Sequence, residues 1–189
     1  MSAPLAPGLL VAAPPLTDPN FAKSLVLLVA HGEEGALGIV VNGDKEVASI
    51  GDLLEQLGLS DDGSKHPQAV RLGGPVQQEI GWIVYRPSDT PCEGEIKLSD
   101  RIAVTQSREV LASIGRDEGP AVYAAFLGYS GWAPGQLEEE IRQGAWLPVD
   151  LDDRIVFEVP VNKRWDAAFR GAGVLPAAFM TTSNNRGSA

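Results

Sequence analysis

The chain is predicted to be an α+β protein, and three observations carry that reading. Two near-continuous apolar runs of strand length, 24–30 and 37–41, have the composition of strands buried on both faces. Only His31-Gly32-Glu33-Glu34-Gly35-Ala36 lies between them. That is too short for a helical crossover, so the two strands pair antiparallel as a hairpin. Capped and glycine-stopped helical segments then intermix with further strands, which excludes a purely parallel sheet.

The elements follow in chain order. Ser49 opens a helix through Leu57, with Asp52 as capping-box partner, Gly58 as stop, and Leu53, Leu54 and Leu57 as its apolar stripe. A polar loop over 60–68 carries His66, expected to be solvent-exposed. A short strand at 70–72, the turn Gly73-Gly74-Pro75 and a strand at 80–86 come next. Residues 87–91 read as loop, leaving Cys92 accessible. Ser107 caps a helix to Ile114 that Gly115 ends. Residues 121–127 and 154–159 read as strands. Between them, Pro134 suits a first helical turn and Gly144 a stop, so 134–143 reads as a helix. Its buried stripe is Leu137 and Ile141, and Glu138 is placed to pair with Arg142 at i, i+4. Asn162 caps a last helix through Arg170, with Trp165 and Phe169 on one face. Residues 1–175 are expected to form a single domain, and 176–189 an irregular, mobile tail.

Composition narrows the function classes. At 189 residues the chain can bury about 70% of its unfolded surface without covalent staples. Cys92 is the only cysteine, which rules out an intramolecular disulfide and a four-cysteine zinc site. The first residues carry no basic segment, and prolines interrupt their apolar run, unlike a signal peptide. No stretch approaches the roughly 18 apolar residues of a membrane span. A cytoplasmic protein, without membrane attachment, is the expectation. The net charge of -10 lacks the basic footprint that phosphate neutralisation requires, so direct nucleic-acid binding is disfavoured. The nearest basic group is Lys163-Arg164 with Arg170.

Chemistry-bearing residues concentrate in 126–147, FLGYSGWAPGQLEEEIRQGAWL. Gln136 and Glu140 share one helix face and are candidates for a pocket wall beside Tyr129, Trp132 and Trp146. The competing reading makes the acids a solvated face and the aromatics core, and it is the stronger. His31 ends a buried strand at a turn. As one of two histidines it is a candidate general base near neutral pH, paired with Glu140 or another acid, a carboxylate of raised pKa being the alternative, but a hydrogen bond to the turn or a neighbouring backbone group is the better reading. Ser130 is not a nucleophile elbow, because Trp132 stands where glycine is required. Gly73 and Gly74 could offer N–H groups to an anion, but no Lys-Ser/Thr follows, so a tight turn is the better reading. No GxGxxG, P-loop, HExxH or CxxC motif occurs. No cofactor or metal is expected.

Taken together, these residues resemble the AlgH/YqgE family of bacterial proteins over Gly8 to about Gly173. The likeness rests on Gly8-Leu9-Leu10, Ala13-Pro14 and Phe21; on His31, Gly35-Ala36, Gly38 and Asn42; and on Gly73-Gly74-Pro75-Val76. It continues through Leu127-Gly128-Tyr129, Gly131-Trp132, Gly135-Gln136-Leu137-Glu138, Glu140, Trp146-Leu147, Phe157, Pro160 and Arg164-Trp165. The resemblance implies a small β-barrel-like, bifurcated antiparallel or mixed sheet surrounded by helices. It brings a transcriptional-regulator label and no defined activity. Asn42 is followed here by Gly43-Asp44 where the family pattern has Arg-Pro, and Trp82 stands in a segment that is usually more aliphatic. The functional surface expected from residues and resemblance together comprises His31, Asn42, Gly73, Gly74, Tyr129, Trp132, Gln136, Glu140 and Trp146.

Three functions follow in order of preference. The first is a non-enzymatic binding or regulatory protein that recognises an unidentified protein or small ligand. An enzyme using His31 and a carboxylate is second, and a DNA-acting regulator third.

Overall fold

A computed structural model describes residues 4–60 and 63–173. The α+β expectation holds. Among the described residues ten strands, β1 (Gly8–Ala12), β2 (Leu25–Gly32), β3 (Gly35–Val40), β4 (Glu46–Ser49), β5 (Ala69–Leu72), β6 (Val76–Tyr85), β7 (Ile96–Lys97), β8 (Ala103–Thr105), β9 (Tyr123–Trp132) and β10 (Trp146–Val149), accompany five α-helices. The helices are α1 (Ile50–Gln56), α2 (Arg108–Gly115), α3 (Gln136–Arg142), α4 (Asp153–Phe157) and α5 (Arg164–Gly171).

The chain divides into two compact units. One joins the chain up to Asn42 with that from Ser130 onward, and the other is Gly43–Tyr129. β9 contributes its last three residues to the former and the rest to the latter.

In the discontinuous unit the strand order is β10-β1-β2-β3 and the end of β9, all antiparallel. The predicted hairpin is present, with Gly32 opposite Gly35 across the Glu33-Glu34 turn. β1 and the first five residues of β2 are buried throughout, as strands covered on both faces must be. Leu10, Val26, Leu28 and Val40 pack with Trp132, Leu137 and Trp146 as its core. Arg164 is buried too, its guanidinium donating to the carbonyls of Val41 and Val159. That side chain, read from sequence as part of a basic face, therefore anchors α5. The Trp165 indole donates to the Ala12 carbonyl at 2.8 Å and its ring meets Phe169 edge-on, as the i, i+4 spacing predicts.

In the Gly43–Tyr129 unit, β5 pairs antiparallel with β4 and parallel with β9, so the sheet is mixed. β6 joins β9 to β8, and β7 completes the edge. Ile50, Leu54, Val70, Ile83, Tyr85, Val110 and Ile114 form its core. Neither strand set closes on itself, so the barrel-like expectation gives way to an open sheet.

Several local readings are corrected. Residues 154–159 are not a strand. α4 forms there because the Asp152 side chain accepts the Arg154 N–H and nucleates a helical turn. Asn162 does not cap the last helix. It lies in a 3-10 turn, Val161–Lys163, that leads into α5 without a side-chain cap. His66 is buried, with Nε2 3.2 Å from the Gly115 carbonyl oxygen. The predicted tail at 176–189 lies outside the described residues.

α1 carries the predicted capping box. The Ser49 hydroxyl accepts the Asp52 N–H at 3.0 Å, and the Asp52 carboxylate accepts the Ser49 N–H at 2.7 Å. The latter bond, chiefly, holds the Asp52 carboxyl below its ordinary pKa. Ser49→Ala is expected to lower stability by about 1 kcal/mol in urea unfolding, the usual cost of a lost cap. Among the described residues no helix is long and apolar enough to cross a membrane. None of their His, Cys, Asp and Glu side chains form a group of three or more that could hold a metal ion.

Candidate functional site

The discontinuous unit holds six of the nine sequence-predicted site residues, His31, Asn42, Trp132, Gln136, Glu140 and Trp146. β9 delivers Trp132 opposite Ala36 of β3, and the chain then turns through Ala133-Pro134-Gly135 into α3. β10 delivers Trp146 just beyond that helix. The Glu140 carboxylate sits between them. Its Oε2 accepts both the Trp132 and the Trp146 indole N–H at 2.9 Å, and its Oε1 accepts the Gln136 amide at 2.9 Å. Gln136 in turn accepts the Ala133 N–H through its own carbonyl oxygen, tying down the turn that starts α3.

The two indoles meet nearly perpendicular at 5.8 Å, and Phe21 completes the aromatic group, stacked on Trp132 and edge-on to Trp146. Trp132 and Trp146 are only 6% and 3% exposed. The aromatics are therefore core, in line with the stronger of the two sequence readings. Glu140 is a different matter: its charge is spent on orienting two buried indoles and is not on a solvated face.

His31, at the β2–β3 turn, finds Glu138 rather than Glu140. Its Nε2 lies 2.7 Å from Glu138 Oε1, with the side chains 14% and 42% exposed. A carboxylate can only accept, so Nε2 carries the proton, and any base in this imidazole is Nδ1. Glu138 is held below its ordinary pKa by its own backbone N–H and then by His31. The expected Glu138–Arg142 pair is absent because Arg142 turns to Glu139, one residue closer. Glu138 is the residue that sequence reasoning missed as His31's partner, since the two are 107 positions apart and nothing local signals the contact.

The other candidates have structural duties. Asn42 bridges the start of β2, accepting the Leu25 N–H at 2.7 Å and donating to the Lys23 carbonyl at 2.8 Å. Gly73, Gly74 and Tyr129 belong to the Gly43–Tyr129 unit. The Gly73 N–H is taken by the Leu127 carbonyl at 2.8 Å, which leaves the turn, and not an anion cradle, as its role. Tyr129 meets the Trp82 ring edge-on at 6.5 Å.

A family model described as DUF179, AlgH-like, matches residues 9–177. The chain belongs to the AlgH-like family. Among curated AlgH-like relatives, a UPF0301 protein of Anaeromyxobacter dehalogenans strain 2CP-C is 48% identical over 181 residues, covering 93% of this chain and 92% of its own. A UPF0301 protein of Vibrio cholerae is 35% identical over 184 residues, covering 93% and 96%. The solution structure of the AlgH protein from Pseudomonas aeruginosa is similar with a TM-score of 0.78 at 33% identity, covering 95% of this chain and 96% of that one. A crystal structure of a Corynebacterium diphtheriae protein shares the fold, with a TM-score of 0.69 at 23% identity over 90% and 87% of the two chains.

Proposed function

We propose that this AlgH-like protein is a cytoplasmic, non-enzymatic binding or regulatory protein that recognises its partner through the His31–Glu138 edge. The observation that supports this reading is the contrast within one cluster. Glu140 is committed to two indoles and an amide, which makes a rigid base. On that base His31 and Glu138 form a partly exposed hydrogen-bonded pair, flanked by the exposed acids Glu33 and Glu34 of the hairpin turn, while Glu139 is paired with Arg142. A rigid, acidic, partly wet edge suits a basic segment of a protein partner, because complementary charge sets register and on-rate.

The experiment is affinity capture with a His31→Ala/Glu138→Gln double variant whose fold is checked by circular dichroism. The wild-type protein is expected to retain a defined basic partner, with retention falling as salt rises, and the double variant to lose it about ten-fold or more. Equal capture by both overturns the assignment.

The 2.7 Å contact also favours a second reading, an enzyme in which Glu138 orients His31. It transfers the carboxylate role from Glu140 to Glu138. DNA binding gains no support, since Arg164 of its proposed basic face is buried on carbonyl oxygens.

A further inference from the structure

Nε2 of His31 already holds a proton and donates it to Glu138 Oε1 at 2.7 Å, so the ring becomes a cation only by taking a second proton at Nδ1. That charge arises against the carboxylate a basic partner needs. Both side chains reach solvent, His31 at 14% and Glu138 at 42% exposure.

The charged groups around the ring come from two elements only. On α3 they are Glu138 itself, Arg142 paired with Glu139, and Glu140 held by the two indoles. On the β2–β3 turn they are the exposed Glu33 and Glu34. β3, whose Ala36 faces His31, has no titratable side chain, and neither Gly131 nor Trp132 of β9 beyond it adds one. Carboxylates ordinarily titrate near about pH 4 and arginine above about 12, which leaves the imidazole as the group that changes charge here between about pH 5.5 and 7.5.

We infer that the edge is proton-gated: it accepts a basic segment while His31 is neutral and releases it when His31 is protonated. This rests on the binding reading above and names its regulation. The sign follows from charge alone. With a neutral ring, a cation from the partner meets Glu138 together with Glu33 and Glu34 of the turn. A protonated ring places a like charge beside that cation, and at about 4 Å this weakens binding about five-fold even in bulk water. Binding is therefore full above the His31 titration and is lost as pH falls through it. By linkage, a bound cation resists protonation of the ring to the same degree.

The probe is the octapeptide (Arg-Gly)4, whose guanidinium groups stay charged throughout. It is titrated into the full chain at low salt and followed by NMR at the Glu33, Glu34 and Glu138 amides and at the His31 ring. His66, the other histidine, is buried against the Gly115 carbonyl in the Gly43–Tyr129 unit and serves as the internal control. Peptide affinity is expected to fall about five-fold or more from about pH 7.5 to 5.5, in step with the His31 ring and not with His66. Saturating peptide is expected to move the His31 titration to lower pH. His31→Gln, uncharged at every pH and still a hydrogen-bond donor, should lose the pH dependence. Peptide shifts at the edge with an affinity that pH leaves unchanged, or a pH dependence that survives in His31→Gln, overturn the gate and leave the binding reading standing. No shift at the edge at either pH overturns both.

Discussion

Glu140→Ala is expected to lower the urea-unfolding midpoint by the equivalent of about 2–4 kcal/mol, with the denaturant slope unchanged. The substitution strands two indole donors, those of Trp132 and Trp146, in a core where each is almost wholly enclosed. Each stranded donor costs on the order of 1–3 kcal/mol. Glu140→Gln separates acceptor geometry from charge. Its carbonyl oxygen can take both indoles, but its amide then faces the Gln136 amide, whose own oxygen is committed to the Ala133 N–H. A loss near ~1 kcal/mol is expected for this variant, since one neutral hydrogen bond is at stake. A Glu140→Ala protein within about 0.5 kcal/mol of wild type, the scatter of ordinary surface changes, would show that the indoles find other acceptors.

Gly35→Ala should be more damaging still. Gly35 has φ +115°, a left-handed conformation that L side chains rarely adopt, and a Cβ there would lie 2.2 Å from the Trp132 carbonyl oxygen. The obstacle is backbone of the neighbouring strand, so no rotamer change relieves it. The expected result is a loss above ~3 kcal/mol or a protein recovered only as aggregate, from combined strain and overpacking. Gly144→Ala is the control. It also has positive φ, +80°, but nothing lies within 4 Å of its added Cβ, so it should cost only ~1 kcal/mol. Equal effects at the two glycines in thermal unfolding would contradict the close approach of β3 to β9.

What the sequence disclosed follows the range of each interaction. The β2–β3 hairpin, the Ser49 capping box, the Ser107 cap and the Gly58 and Gly144 stops rest on neighbours within a few residues and are present, whereas Gly115 is the last residue of α2 and Arg116 its cap. Residues 154–159 failed because a short run of Ile, Val and Phe fits a strand or one helical turn equally well, and only the Asp152 cap decides. β1 escaped notice because its pairing with β10 is distant in sequence and its five residues, Gly-Leu-Leu-Val-Ala, give no polar alternation. At the site, the clustering of Trp132, Gln136, Glu140 and Trp146 was legible because α3 lies between the two indoles. The His31–Glu138 contact was not, since it depends on which side chains long-range folding brings near.

The pairing of β1 with β10 has a bearing on how the molecule is made. Leu9 faces Val149, so the second partner of the most apolar strand leaves the ribosome some 140 residues after the first strand emerges. At ordinary translation speeds that interval is on the order of ten seconds. During it, the Gly43–Tyr129 segment is completed while the leading hairpin and β1 still show an uncovered flank. A chain cut short anywhere before Trp146 lacks the strand that β1 pairs with on that side and so leaves an apolar edge without its hydrogen-bond partner.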